Sequence, residues 1–260
     1  MNTNATYTYG MLNSKQLKCD PAYQRELDSK KIYKILDKFN PLRVNVVKVS
    51  HRDDAYWIFD GQHTTAALVA HNGGKDLMVE CKIYEGLSQQ DEAELFARQK
   101  EFEKRPGVAD IMKALYASGD TEMVELKKLV ESAGFIFDFS KSKANNRIVC
   151  CDKIYKIYRN AKQNDFVLFL RTLKTIWNGK ADSLTKEIVG GLWEFCRTYW
   201  GTMDTDTLVK KLGKVEPSEI IAKGKALKDV KGDKRYAFPM VDIYNSRLKT
   251  TQLEKAFLLV

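Results

Sequence analysis

The sequence lacks any apolar run that approaches the roughly 20 residues needed for a membrane-spanning helix. At its N-terminus it also lacks the basic segment and the apolar segment of a secretory signal peptide. These two absences predict a cytoplasmic protein that does not associate with a membrane. We also find no internal repeat and no low-complexity tract.

The cysteines form neither a Cys-x-x-Cys pair nor a Cys/His cluster with the spacing of metal ligands. Their number is odd, and each lies in an otherwise apolar, regular segment. We therefore expect buried, reduced thiols and no metal site built on cysteine. The five are Cys19, Cys81, Cys150, Cys151 and Cys196.

Charge is distributed unevenly along the 260 residues, whose net charge is +9. Residues 1–139 contain 19 Lys+Arg and 21 Asp+Glu, whereas residues 140–260 contain 24 and 13. A near-neutral part joined to a strongly basic one indicates that the second part faces a polyanion. The alternative is that the positive charge serves only solubility.

Hydrophobic patterning predicts an α/β (α+β) part followed by an all-α part. We divide the chain into a mobile N-terminus (residues 1–14), an α/β domain (15–105) and a basic helical region (106–260). In the α/β domain, Asp28 or Ser29 begins a helix that ends at Asn40-Pro41. Strands are predicted over 43–49, 56–59 and 77–84. In the basic region, helices are predicted over 148–161, 164–177, 184–200, 205–212 and 217–228, followed by a poorly patterned tail.

The segment most suited to chemistry is a strand ending at Phe59, a turn at Asp60-Gly61, and a helix. Gly61 permits a sharp turn, and the first turn of a helix offers unpaired N–H groups to an anion. Thr64 and Thr65 add hydroxyl donors, and Asp60 has the carboxylate that a bridging cation needs. His63, with an ordinary pKa of about 6.5, suits an acid, a base or a phosphate donor. The alternative is an ordinary turn followed by a structural histidine.

Several motifs occur in an order that resembles the N-terminal domain of the ParB/sulfiredoxin superfamily. They are Cys19–Arg25 with the helix after it, a hairpin that turns at His51–Asp54 between the first two predicted strands, Phe59–Ala67, the third predicted strand and Gly86–Phe96. The likeness extends from Leu17 to Arg105 and is strongest to ParB-like proteins of phages, plasmids and integrated elements.

This resemblance implies that the turn holds the phosphates of a nucleotide. ParB proteins use it to bind CTP and clamp DNA, sulfiredoxins use it with ATP and a catalytic cysteine, and a related kinase phosphorylates free serine. The resemblance implies CTP or ATP with Mg²⁺ as cofactor. Asp60 would then hold a Mg²⁺ ion that is bound to the phosphate oxygens. The implied cofactor-binding residues are Gln24, Arg25, Gly61, Gln62, His63, Thr64 and Thr65.

The sequence departs from the superfamily pattern at two positions. Gln62 replaces the sulfiredoxin cysteine, which excludes peroxiredoxin repair. Thr64 replaces an arginine that grips phosphate, a loss of about 1.5–3 kcal/mol on the scale of hydrogen bonds to charged groups. Arg25, Arg43 and Arg52 are candidates to compensate for it.

Basic residues recur at helical spacing in the second part of the chain and predict contacts to a nucleic-acid backbone. A second basic cluster, from Lys223 to Arg235, lies near Tyr236 and Phe238; in both cases the alternative is a solvated surface. We find no helix-turn-helix signature. The aromatic residues between 177 and 200 are assigned to the core. The predicted nucleic-acid-binding residues are Arg147, Lys153, Lys156, Arg159 and Lys162.

Three hypotheses follow from the sequence. The first is a ParB-like, DNA-associated protein of a mobile element, which forms a homodimer and whose binding to DNA is controlled by a nucleotide. The second is an enzyme, a phosphotransferase or nuclease, with Asp60 on a metal, His63 as acid/base and Glu26 as general base. The third is a structural or interaction protein whose pocket has degenerated.

Overall fold

The computed structural model describes residues 5–99, 101 and 106–255. The protein is mixed α/β, and its chain divides into two compact units, Met1–Arg105 and Pro106–Val260, called here the N-terminal and C-terminal units. Among the residues described, no helix has both the length and the apolarity to cross a membrane.

The N-terminal unit contains a five-stranded mixed sheet. Its strands are β1 (Thr6–Asn13), β2 (Leu17–Cys19), β3 (Val47–Arg52), β4 (Ala55–Asp60) and β5 (Met78–Glu85), in the spatial order β1-β5-β3-β4-β2. The β1–β5 and β3–β4 pairs are antiparallel, and the β3–β5 and β2–β4 pairs are parallel. Three helices accompany the sheet: α1 (Ser29–Asp37), α2 (Gln62–His71) and α3 (Gln89–Arg98).

Within the described part of residues 1–14, a strand replaces the mobile segment that was predicted; residues 1–4 lie outside the described residues. Thr6–Asn13 form β1, which pairs with β5 from Thr6 opposite Glu85 to Asn13 opposite Met78. The segment alternates Thr and Tyr, two residues that favour strands. The prediction was wrong because the segment has the polar composition of a mobile terminus. The strand that pairs with it lies about 70 residues further along the chain, so no local pattern reveals the pairing.

The helix starts follow local capping rules. The Asp28 side chain accepts from the N–H groups of Lys30 and Lys31 at the start of α1. Ser88 and Asp91 form the capping box of α3, with the three-residue spacing typical of this motif. A small hydrophobic core, formed by buried side chains of β3, β4 and β5, packs against Leu68 of α2.

A buried ion cluster ties β3 to α3. Arg52 Nε lies 2.9 Å from a carboxylate oxygen of Glu92, whose side chain is 0% exposed, and Arg52 also lies 3.2 Å from Asp20. Tyr23 donates its hydroxyl to Glu92 at 3.0 Å, and burial followed by the Glu92 charge raises the pKa of Tyr23. Since the Asp20 carbonyl accepts from the N–H of Gln24, the cluster anchors the segment that precedes α1.

Within the described part of the C-terminal unit, eight α-helices surround one core. They are α4 (Val108–Ala117), α5 (Thr121–Ser132), α6 (Cys151–Asn160), α7 (Gln163–Trp177), α8 (Lys186–Tyr199), α9 (Thr205–Leu212), α10 (Pro217–Ala226) and α11 (Lys234–Asn245). Trp177, Phe195 and Tyr199 are buried, and Trp193 and Trp200 pack against them. The assignment of these aromatics to the core is confirmed.

The segment read as a poorly patterned tail contains α11, which packs closely on α8. A Cβ atom at Gly191 would lie 2.6 Å from the Cβ of Tyr236, so the glycine permits the close approach of the two helices. Phe238 is buried in the core, which corrects its proposed place beside a nucleic acid. Pro239 lies inside α11 and weakened the helical signal.

Four of the five cysteines are buried, whereas Cys19, at the end of the edge strand β2, is exposed. All five are free thiols. Burial raises the pKa of Cys81 to about 11 and that of Cys150 to about 12, which keeps both in the unreactive thiol form. Cys19 corrects the expectation of five buried thiols.

Candidate functional site

Gly61 forms the turn between β4 and α2, with φ of +103°. This conformation belongs to the left-handed region that favours glycine. A Cβ at this position would lie 3.2–3.3 Å from atoms of Val47, a fully buried residue of β3. Glycine is therefore required here by backbone conformation and by the closeness of β3.

The start of α2 has no side-chain cap. Within the described residues, the N–H groups of Gln62, His63 and Thr64 donate to no protein acceptor. Thr65 differs, because its N–H and its hydroxyl both donate to the Gly61 carbonyl, at 2.9 and 3.2 Å. Three amides at the positive end of a helix dipole are thus available to an anion, whereas the Thr65 hydroxyl is occupied within the turn.

A cavity of about 170 Å³ adjoins these amides. Two cationic side chains, Arg25 and Lys31, line it. Of the residues predicted for the site, Glu26 and Thr65 do not line the cavity, and Glu26 is exposed. The predicted residues that do line it are Gln24, Arg25, Asp60, Gly61, Gln62, His63 and Thr64.

Two amide side chains brace the wall of the cavity. Gln24 Nε2 donates to the Ile58 carbonyl at 2.9 Å, and Gln62 Nε2 donates to the Arg25 carbonyl at 2.9 Å. The first bond joins the segment before α1 to β4, and the second joins it to α2. Both glutamines therefore hold Arg25 at the cavity by positioning its backbone.

His63 is held by the segment that precedes α1. The backbone N–H of Asp28 donates to His63 Nε2 at 3.0 Å, so the proton of the neutral imidazole is on Nδ1. Burial, then the charges of Lys31 and Arg25, lower the pKa of His63. Its contribution to stability is therefore complete above the unfolded pKa of about 6.5 and is lost as pH falls through the lowered value.

Asp60 is the predicted contact to a metal. Its carboxylate lies 3.2 Å from Lys48 Nζ, so a cation already balances its charge. Among the described residues there is no group of three or more His, Cys, Asp or Glu side chains arranged to hold a metal ion. One carboxylate fits Mg²⁺ only where phosphate oxygens complete the coordination.

A second groove, of about 220 Å³, adjoins the cavity and shares Thr64 with it. Three further cations line this groove: Lys34, Lys38 and Arg43. Arg43, one of the candidates to compensate for Thr64, therefore lines the groove next to Thr64 and not the cavity at Gly61. Arg52 lines neither of them, because the carboxylates of Asp20 and Glu92 hold it.

Three of the five predicted nucleic-acid-binding residues are paired with carboxylates. The ion pairs are Arg147–Asp138 at 3.1 Å, Lys153–Asp233 at 2.5 Å and Arg159–Glu122 at 3.5 Å. Lys156 and Lys162 are exposed. Divided at the boundary between the two units, residues 1–105 carry a net charge of +1 and residues 106–260 carry +8.

Comparisons with known proteins relate the chain to a family and to solved structures. No curated protein matches it. Among solved structures it is similar to the C-terminally truncated chromosome-partitioning protein ParB from Caulobacter crescentus, complexed with CTP-γ-S. The TM-score is 0.35 and the identity 11%, over 79% of this chain and 98% of that one, and a score this low does not establish a common fold. Residues 19–257 match the family described as a family of unknown function (DUF6551), and because this match spans most of the chain, the protein belongs to that family.

Proposed function

We propose that this protein binds the phosphate chain of a nucleotide at the Gly61 turn and associates with DNA, in the manner of a ParB-like protein. The observation that carries the nucleotide part is the set of three unpaired amides at the start of α2. Cationic side chains on both sides of Thr64 add to this positive end. An anion there gains hydrogen bonds and charge neutralisation together.

The dimensions of the site favour a phosphate chain over a single ion. The cavity of about 170 Å³ accommodates phosphate groups, but it is smaller than the roughly 300–1,000 Å³ of a typical small-molecule site. The adjoining groove adds about 220 Å³. A chain of phosphates that crosses Thr64 would contact Arg25 and Lys31 on one side and Arg43 on the other.

CTP and ATP are the nucleotides to test, because the sequence resembles a superfamily whose members use this turn to bind one or the other. His63 would donate its Nδ1 proton to a phosphate oxygen, because its Nε2 is occupied by Asp28. Asp60 is the one carboxylate among the described lining residues, so it would be the protein ligand of a Mg²⁺ ion bound to the phosphates.

The geometry favours binding over catalysis. A general base needs a free lone pair near the substrate, and Nε2 of His63 already accepts a hydrogen bond. Glu26, the other predicted base, is exposed and outside the cavity lining. The pair that the enzyme hypothesis names, His63 as acid/base and Glu26 as general base, is therefore not brought together among the described side chains at the cavity.

Reversing the charge of Lys31 tests the nucleotide proposal. Lys31→Glu should weaken CTP or ATP binding about tenfold or more, because a lost hydrogen bond to a charged group costs about 1.5–3 kcal/mol. Isothermal titration calorimetry measures the affinity, and a thermal shift with each nucleotide supports it.

Lys30→Glu is the matched control, since Lys30 precedes Lys31 in the same turn of α1 and does not line the cavity. It should keep the wild-type affinity. Equal weakening by both substitutions, or no binding of any nucleotide at millimolar concentration, would contradict the proposal.

The DNA proposal rests on the +8 charge of residues 106–260 and on exposed lysines of the α6 region. Fluorescence anisotropy with duplex DNA should show affinity that falls steeply as salt rises. Replacing Lys156 and Lys162 by alanine should reduce the log–log slope by about 2, one for each lost phosphate contact. Replacing the exposed Lys113 and Lys128 removes the same charge and should leave the slope unchanged. A wild-type slope near zero would refute DNA binding.

A further inference from the structure

Strand β1 is an edge strand without the features that normally protect an edge. It is the terminal strand of the sheet, and its eight residues pair with β5 without a break in register. The segment Thr6–Asn13 contains no charged residue and no proline. Alternate N–H and C=O groups of such a strand point away from its neighbour and can pair with another strand.

The opposite edge of the same sheet shows the contrast. Strand β2 has only three residues, and one of them is Lys18. Shortness and a lysine are two common means of preventing edge-to-edge association. The described residues of β1 have neither of these features.

The side chains of β1 form an apolar stripe on one face. Tyr7, Tyr9 and Met11 alternate along the strand and are 53%, 62% and 55% exposed. Lys82 of β5 lies over the Tyr7 ring, 3.6 Å from its centroid, and so holds this ring in place. The Tyr7 ring is therefore held by Lys82, whereas more than half of each of the three side chains is exposed to solvent.

We propose that β1 pairs antiparallel with β1 of a second copy of this chain, about a two-fold axis at Tyr9. In this register the two Tyr9 residues are opposite each other, and Tyr7 of each copy faces Met11 of the other. Aromatic pairs and sulfur–aromatic contacts stabilise neighbouring strands, and the uncharged segment brings no like charges together. The result is a continuous ten-stranded sheet across the dimer.

Pairing of one strand buries an area at the low end for specific interfaces, so the dimer should dissociate on dilution. Light scattering after size exclusion, over a range of concentrations, should show a monomer–dimer equilibrium for the full chain. A wild-type protein that stays monomeric at the highest concentration would overturn the proposal.

Two variants that place opposite charges at position 9 test the register. Tyr9→Lys and Tyr9→Glu should each be monomeric, because like charges would face each other across the axis. An equimolar mixture should restore the dimer, which a variant that merely fails to fold would not do. Leu42→Lys is the control; Leu42 is 93% exposed, lies outside β1, and its replacement should leave the dimer intact. Dimers in either Tyr9 variant alone, or no dimer in the mixture, would refute pairing at β1.

This inference goes beyond the nucleotide and DNA proposals and is separable from them. Tyr9 does not line the cavity at Gly61. The monomeric Tyr9→Lys variant should therefore bind nucleotide with wild-type affinity per chain, so that either proposal can fail alone.

Discussion

Replacing Arg52 by methionine should lower the free energy of unfolding of the N-terminal unit by about 3–5 kcal/mol, the scale for removing one partner of a buried ion pair. Glu92 is fully buried, and Arg52 provides its charged partner through Nε and a second guanidinium nitrogen. Methionine preserves much of the apolar stem and removes the charge. The carboxylate would then be left desolvated beside Asp20, a like charge that Arg52 also contacts.

Urea unfolding and hydrogen exchange of β3 and β4 amides measure this loss. Arg98→Met is the control, because Arg98 is exposed and pairs with Glu94 on the surface of α3; its removal should cost less than about 1 kcal/mol. Adding Glu92→Gln to Arg52→Met removes the unpaired charge and should recover part of the stability. Equal costs for the Arg52 and Arg98 substitutions would refute the role assigned to the cluster.

The cluster also supports the site. Asp20 organises the segment that presents Gln24 and Arg25, since its carboxylate accepts from the N–H of Ala22 and its carbonyl accepts from that of Gln24. Arg52→Met should therefore weaken nucleotide binding as well as stability.

Replacing Gly61 by alanine should cost about 2–4 kcal/mol, the sum of left-handed backbone strain and overpacking. The added Cβ would lie 3.2–3.3 Å from Val47 atoms, one of which belongs to the backbone, at a strand position that cannot easily yield. Thermal unfolding measures the loss. In the fraction that stays folded, displacement of the turn should also weaken nucleotide binding.

Gly73→Ala separates the two causes. Gly73 has φ of +69°, and nothing lies within 4 Å of a Cβ built there. It should show the backbone strain alone, about 1–2 kcal/mol. If Gly61→Ala costs no more than Gly73→Ala, crowding against β3 is not what requires glycine at the turn.

Local patterns in the sequence predicted much of the N-terminal unit correctly. The Asp28 cap of α1 and the Asp60–Gly61 turn before α2 each depend on residues within a few positions of one another. Hydrophobic periodicity likewise placed the aromatics of α7 and α8 in the core. Periodicity missed α11, where Pro239 and a mixed composition obscure the helical pattern.

The errors concern partners that lie far apart in the chain. Strand β1 was read as mobile because its pairing partner, β5, begins at Met78. For Lys153, predicted to contact a nucleic acid, nothing in the sequence indicated the contact with Asp233, 80 residues away. Neither partner can be identified from spacing, since no periodicity connects segments that meet only in the folded chain.

The sequence alone determined the elements whose cause is local: helix starts, the glycine turn, strand alternation and the apolar faces of the helices. Tertiary structure decided which polar groups remain available to a ligand. It paired Arg52 with Glu92 and His63 with Asp28, and it left the amides after Gly61 without a protein partner among the described residues. The reason is physical: backbone conformation depends on neighbours in the chain, whereas the satisfaction of a charge or an N–H depends on neighbours in space.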